Sequence, residues 1–330
     1  MKSKILALLR SRNTYVSGQE LCESFGVSRT AVWKAIGQLK KEGYHIEAVQ
    51  NKGYLLVEND RIDVFGQRDI ESRLNTKVMG RALHFFEETD STNAQAKQMA
   101  EQNEAHGALF VADHQTMGRG RRGRAWDSPA GKNIYFTLLL RPQIMPNQAS
   151  MLTLVMAMAV AKGIEKTTGE KAFIKWPNDI VMDNRKVCGI LTEMSLTTEM
   201  DSIQYVVIGV GINVGLQSFA EELSGKAASL EEVTKQNISR GRLLANIMEC
   251  FEEYYELFIK TLDLSDILEE YNACLVNKDR QVRVLDPKGE FDGIAKGITR
   301  TGELLVETED GTTKEIYAGE VSVRGIYGYV

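Results

Sequence analysis

Cysteine is scarce in this chain, and the few cysteines do not cluster. Cys22, Cys188, Cys250 and Cys274 stand far apart with no CxxC pair, which argues against a zinc site or a disulfide framework. His45, His84, His106 and His114 also lack metal-ligand spacing. Metal held by soft ligands is therefore not expected, although magnesium carried in on a nucleotide would leave no such mark. Long apolar runs are missing too. The longest, around 151–161, is too short to span a bilayer and is expected to be a buried core helix. Met1-Lys-Ser-Lys leads into only five mostly apolar residues, which is no secretory segment, so a cytoplasmic protein is expected. There is no internal repeat or low-complexity tract, and no Ser-His-Asp or Cys-His set points to a protein nucleophile.

The 330 residues are too many for one ordinary domain, and 43% hydrophobic with 26% charged residues is a soluble globular composition. The net charge of −5 hides an asymmetry. Residues 1–60 carry nine Lys/Arg against six Asp/Glu, and the remainder carries 31 against 39. A basic head on an acidic body fits a nucleic-acid contact confined to the head, although the excess is modest.

Residues 1–60 read as three helices and a hairpin. Helices are predicted at 4–10, 18–25 and 29–42, with Leu21 and Phe25 inward on the second. Gly26-Val27-Ser28 makes a tight turn ending in an N-cap serine. Val32, Ala35, Ile36 and Leu39 then share one helical face. Short strands at 46–49 and 54–57 flank an Asn51-Lys52-Gly53 turn. Together these make a winged helix-turn-helix, whose third helix would enter the major groove. Ser28, Arg29, Thr30, Trp33 and Lys34 lie off the core face and are candidate DNA contacts, and Lys52 at the wing tip suits a phosphate. A plain three-helix bundle, or Trp33 packed on the next domain, is the competing arrangement.

Beyond a polar connecting segment with a short helix, strands at 82–86, 108–113, 133–140, 172–176, 180–182, 187–194 and 204–210 are predicted. They alternate with helices at 92–102, 147–168, 241–261 and 263–273. This is a mixed α/β sheet domain. The last fifty or so residues switch to short strands at 281–285, 291–298, 304–308, 313–316 and 321–324, with turn signals at 286–289 and 310–311. They predict a small SH3-like β-barrel. The whole is a multidomain α+β chain, divided at 1–62, 63–276 and 277–330.

Chemistry concentrates in a few segments. GRGRRGR at 118–124 sets four arginines among three glycines, followed by Trp126. Glycines free the backbone to wrap a ligand, and the arginines suit phosphate or carboxylate oxygens. The loop is expected to become ordered around that ligand; a solvated basic loop or an RNA-binding tract is the alternative. In KWPND at 175–179, a strand ends in a turn carrying Lys175, Asn178 and Asp179. Lysine can neutralise phosphate, and aspartate can hold magnesium or orient an amine; an ordinary turn with Trp176 in the core is the bland alternative. RKVCGILTE at 185–193 puts Lys186 just after a hairpin turn, where it could balance charge at a reacting phosphate or simply be solvated. Ser91-Thr92-Asn93 opens a helix, and Ser91 or Asp90 could merely cap it. GVGIN at 209–213 ends a buried strand, with glycines that allow close ligand approach.

Taken together, these segments resemble the bifunctional biotin protein ligases that also act as biotin-operon repressors. Ser91, Thr92, Asn93, Gln115, GRGRRGR with Trp126, KWPND, RKVCGILTE and GVGIN carry the resemblance, in an order that is specific. It implies adenylation of biotin by ATP with magnesium to biotinyl-5′-AMP, then transfer to a lysine of a biotin carboxyl carrier protein or domain of a biotin-dependent carboxylase. It implies ligand contacts from Ser91, Thr92, Asn93, Gln115, Gly118, Arg119, Gly120, Arg121, Arg124, Trp126, Asn178, Lys186, Gly189, Gly209 and, more weakly, Asn213. Lys186, Arg121, Lys175 and Asp179 are the implied catalytic set, with no metal ligand assigned to the protein. Operator DNA and a homodimer formed when the adenylate is bound complete the implied partners. A lipoate ligase, a ligand sensor without catalysis and an RNA-binding protein are the competing functions.

Overall fold

The computed structural model describes residues 1–58, 63–197, 202–286, 289–317 and 322–325. The first three helices are α1 (Lys2–Arg12), α2 (Gly18–Phe25) and α3 (Arg29–Lys41). Serine hydroxyls start the last two. Ser17 Oγ accepts from the Glu20 amide at 3.0 Å, and Ser28 Oγ from the Ala31 amide at 3.2 Å. Each such cap contributes about 1 kcal/mol. Leu21, Val32, Ala35, Ile36 and Leu39 close on Ile5, Leu6 and Leu9 in a core of their own. The wing is an antiparallel pair, β1 (Ile46–Val49) and β2 (Gly53–Leu56), with Ile46 opposite Leu56 so that both face that core.

After the short helix α4 (Gln67–Arg73) comes a seven-stranded sheet. Its strands are β3 (Leu83–Thr89), β4 (Ala108–Gln115), β5 (Ile134–Leu140), β6 (Phe173–Lys175), β7 (Asp179–Met182), β8 (Arg185–Leu196) and β9 (Ile203–Ile212). The order is β3-β4-β5-β9-β8-β7-β6. Only β3 and β4 pair in parallel, joined by the crossover helix α5 (Thr92–Glu101). Strand β5 is buried along its whole length because both faces of the sheet are covered. Phe136, Leu138 and Leu140 point to the core shared with α6 (Met151–Thr168) and α8 (Arg240–Thr261), while Leu139 packs with Ala96 and Ala100 of α5. The apolar run at 151–161 is the buried core helix expected. No helix among the described residues is long and apolar enough to cross a membrane.

Two short helices, α7 (Leu230–Thr234) and α9 (Leu268–Cys274), lead to the C-terminal strands β10 (Gln281–Leu285), β11 (Phe291–Ile298), β12 (Leu304–Glu307), β13 (Thr313–Ile316) and β14 (Ser322–Gly325). They form one antiparallel sheet in the order β13-β12-β11-β10-β14, the small β domain expected. The expected strand residue Val321 and the turn residues Pro287 and Lys288 lie outside the described residues, as does the 59–62 junction. Helix α6 starts later than the predicted 147, because a single 3-10 turn at Pro146–Gln148 precedes it. A similar turn, Ser265–Ile267, precedes α9.

The parts share walls. Val282, Val284, Ala295, Leu304 and Val306 of the last sheet belong to the same continuous core as the central domain. Trp176 bridges them: its indole Nε1 donates to the Gly302 carbonyl at 3.0 Å, and its amide donates to Asn277 Oδ1 at 3.1 Å. At the other end a charge network binds the head. Arg10 of α1 meets the buried Asp69 of α4 at 2.6 Å, and Arg73 meets the same carboxylate at 3.1 Å. Glu58, at the end of the wing, takes Arg10 at 2.8 Å, Arg73 at 3.0 Å and Arg242 of α8 at 2.6 Å.

Candidate functional site

The face of the sheet that carries α5 holds a cleft of about 470 Å³, open to solvent. Its floor is built where the start of α5 meets the end of β4. Ser91 occupies the N-cap position of α5, yet its side chain makes no capping bond and lines the cleft instead. Thr92 donates from its amide to Gln115 Oε1 at 2.9 Å, with its hydroxyl 3.2 Å from the same oxygen. Gln115 in turn donates to Ser128 Oγ at 3.1 Å. Asn93 reaches Glu193 at 2.8 Å, and the Thr137 hydroxyl bonds both Thr92 and Asn93. The floor is thus a connected set of hydroxyls and amides, suited to a small polar ring.

The wall is set by the pleat of β8 and β9. Gly189 and Gly211 are register partners, and the Trp126 ring lies over them. A Cβ on Gly211 would sit 2.5 Å from the indole, so a side chain there would expel the ring. Trp126 Nε1 is buried with no hydrogen-bond partner among the described residues. An unsatisfied buried donor costs about 1–3 kcal/mol, which an acceptor on a ligand would recover.

Cations sit across the opening. Lys186 Nζ is 2.6 Å from Asp179 Oδ1 and 5.3 Å from the Trp126 ring centroid. It emerges from a tight β7–β8 turn in which Asp183 and Asn184 both adopt positive φ. Arg121 donates to Asn178 Oδ1 at 2.7 Å, and its burial depresses the guanidinium pKa from the usual arginine range. The segment 118–124 is a small hairpin. Gly120 N bonds Arg124 O at 2.8 Å, Trp126 N bonds Gly118 O at 2.9 Å, and Arg122 takes a left-handed turn.

Of the residues singled out from sequence, Ser91, Thr92, Asn93, Gln115, Arg119, Gly120, Arg121, Trp126, Asn178, Lys186, Gly189 and Gly209 line this one cleft. Five others do not. Gly118 braces the hairpin from behind, and Arg124 is exposed at its far side. Asp179 stands behind Lys186 rather than on the wall. Lys175 is 6% exposed, in the β6 register opposite Asp179. Asn213 turns its amide to the Ala228 carbonyl at 3.2 Å, bracing the segment that follows β9. Sequence reasoning passed over Thr137 and assigned no role to Glu193. The signal for Thr137 was a lone hydroxyl inside the otherwise apolar strand Ile134–Leu140.

On the head, α3 presents Arg29, Thr30, Trp33 and Lys34 to solvent, and Trp33 is 67% exposed. Among the described residues Trp33 therefore packs on no neighbouring domain. Ser28 spends its hydroxyl on the helix cap, and Arg29 reaches Gln19 at 3.0 Å. Lys52 is exposed on the wing, 5.9 Å from the Tyr15 ring.

A DNA-reading head ahead of a cleft that can grip both a small polar ring and phosphate defines a class: ligases of the biotin/lipoate type with a helix-turn-helix. Comparison with known proteins agrees. The Biotin/lipoate A/B protein ligase family model matches residues 85–213, an HTH domain model matches 2–55, and the Biotin protein ligase C terminal domain model matches 279–324. The chain is 39% identical to the Bifunctional ligase/repressor BirA of Bacillus subtilis, covering 98% of each chain. It is 32% identical to that of Escherichia coli, over 97% of this chain and 96% of the other. Among solved structures, the biotin protein ligase from Aquifex aeolicus in complex with biotin and ATP matches with a TM-score of 0.65 at 32% identity. That match spans 74% of this chain and 99% of the other. The chain belongs to the family of bifunctional biotin ligase/repressors.

Proposed function

We infer that this protein is an ATP-dependent biotin ligase that also represses transcription by binding DNA, with biotinyl-5′-AMP as both intermediate and corepressor. The observation that carries the enzyme half is the meeting, in one cleft, of the Thr92–Gln115–Asn93 floor with Lys186 and Arg121. In the first step a carboxylate oxygen of biotin attacks the α-phosphorus of ATP, and the bond to the β-phosphate breaks to release pyrophosphate. Such a reaction needs positioning and charge neutralisation rather than a protein nucleophile. The floor orients the ring of biotin. Lys186 and Arg121 supply positive charge where negative charge accumulates on the phosphate and carboxylate oxygens.

Magnesium, when bound, would neutralise ATP phosphate charge. Among the described residues no three His, Cys, Asp or Glu side chains converge. The donor set therefore fits magnesium held mainly by phosphate oxygens and water, with Asp179, already paired with Lys186, the protein carboxylate nearest the cleft cations. In the second step the neutral amine of a carrier lysine attacks the acyl carbon, the bond to AMP breaks and an amide forms. Asp179, with Lys175 and Asn178 in the same turn, can orient that amine and take its proton. The 118–124 hairpin, beside the cleft, shields the mixed anhydride from water.

The acceptor is a biotin carboxyl carrier protein or domain, in the cytoplasm where carboxylase and operator are both found. The chain works as three units, 1–62, 63–276 and 277–330. A homodimer that forms with the adenylate would present two heads to a two-half-site operator, and the linkage is reciprocal, each event favouring the other.

The deciding experiment is mass spectrometry of the protein incubated with ATP, magnesium and either biotin or lipoate. Biotinyl-AMP retained by the protein is the expected product. Adenylation of lipoate but not biotin would overturn the substrate, and adenylation of neither would overturn the enzyme.

A further inference from the structure

Asn93 is held at both ends. Its Nδ2 donates to Glu193 Oε2 at 2.8 Å, and its Oδ1 accepts from the Thr137 hydroxyl at 2.6 Å. A hydroxyl can donate or accept, so Thr137 alone would tolerate either face of the amide. An ionised carboxylate only accepts, so Glu193 breaks the tie. The second oxygen of Glu193 is taken by Lys97 Nζ at 2.5 Å. Burial opposes its ionisation, but hydrogen bonds from Lys97 and Asn93 hold the carboxyl below its ordinary range. Behind Asn93 the sheet is cut away, since a Cβ on Gly209 would lie 2.1 Å from Asn93 Oδ1. Through Thr137 and Thr92 the grip extends to Gln115 on the opposite side of the floor, to which the Thr92 amide donates.

We propose that Glu193 and Thr137 are positioning residues that fix Asn93 so that the floor offers one donor–acceptor pattern to the ureido ring of biotin, an inference that rests on biotin being the ligand. A ureido group carries one carbonyl acceptor between two N–H donors. Each partner must therefore keep its polarity, and a flipped Asn93 would set like against like. A floor with fixed polarity also works against an acid whose ring cannot hydrogen-bond, because its buried polar groups are then left unpaired.

The test is calorimetric titration of biotin into the full-length protein and its variants, with the KM for ATP measured in parallel. Glu193→Gln and the near-isosteric Thr137→Val should each raise the Kd for biotin about threefold to tenfold, the scale of one misplaced hydrogen bond, with the KM for ATP little changed. Thr137→Ser, which restores the hydroxyl, should restore affinity. In an Asn93→Ala background Glu193→Gln should add no further loss, because the two act on one interaction. If the wild type binds no biotin, the ligand assignment fails and this proposal with it. If the wild type binds biotin and both variants match it, the positioning role alone is wrong. Equal losses for biotin and ATP, with a lowered Tm, would make Glu193 and Thr137 merely structural.

Discussion

The Lys186 ammonium lies 2.6 Å from the Asp179 carboxylate, so a cation at the cleft wall is backed by an anion just behind it. The pair holds the lysine in one place before any substrate arrives, and preorganised charge lowers a barrier more than mobile charge does. Lys186→Met keeps the length and apolar stem of the side chain and removes only the charge. Its rate of biotinyl-AMP formation should fall about 10²–10³-fold, the usual cost of deleting one such group. Single-turnover pyrophosphate release measures this. A loss under tenfold would assign the neutralisation to Arg121 or magnesium instead.

Much of this site was legible because it is local. Ser28 caps the helix that follows it by accepting from the amide three residues on, and Val32, Ala35, Ile36 and Leu39 share a face by spacing alone. GRGRRGR announces its chemistry in seven consecutive residues. What escaped depends on strands and loops that arrive from far away. Asn213 stands in a ligand-like motif, but Ala228 comes up beside it and takes its amide. Lys175 is steered by the register of β6 on β7. Trp176 reads as an ordinary core residue, and only the fold brings Gly302 to its indole. Thr137 gains meaning only once α5 sets Thr92 and Asn93 above it.

The head is tied to the body through Asp69, which Arg10 of the head grips and against which Gly241 packs. A Cβ at that position would lie 1.8 Å from Asp69 Oδ2, in a carboxylate already bound to Arg10 and Arg73. Gly241→Ala should destabilise the protein by about 1–3 kcal/mol, the cost of forcing an atom into packed space. Denaturant unfolding should show this as a lower midpoint. An unchanged midpoint would mean that Asp69 has room to retreat.

The same junction should be acid-sensitive. Burial opposes ionisation of Glu58, yet the charge of Arg73 and the hydrogen bonds from Arg10 and Arg242 hold its pKa at about 2, down from an ordinary 4.5. A carboxyl depressed in the fold contributes stability that is present above its unfolded value and is lost as pH falls through the folded one. The wild type should therefore exceed Glu58→Gln in Tm by a constant margin well above pH 4.5, and that margin should shrink as pH falls toward 2. A margin that stays flat across this window would place the stabilisation elsewhere.

Trp33 separates base reading from charge attraction. It stands 67% exposed on the side of α3 turned away from the head's core, where a tryptophan has no packing role in the free protein. Trp33→Ala should leave stability within about 0.5 kcal/mol. Against an operator selected from random DNA it should weaken binding by about 1–3 kcal/mol, the scale of one lost base-pair contact. The indole neutralises no phosphate, so the slope of log affinity against log salt should not move. Lys52→Ala, by contrast, should weaken binding to all sequences alike and flatten that slope by about 1. If Trp33→Ala flattens the slope as Lys52→Ala does, its effect is on backbone docking. If it binds the operator as tightly as the wild type, α3 reads the groove through Arg29, Thr30 and Lys34 alone.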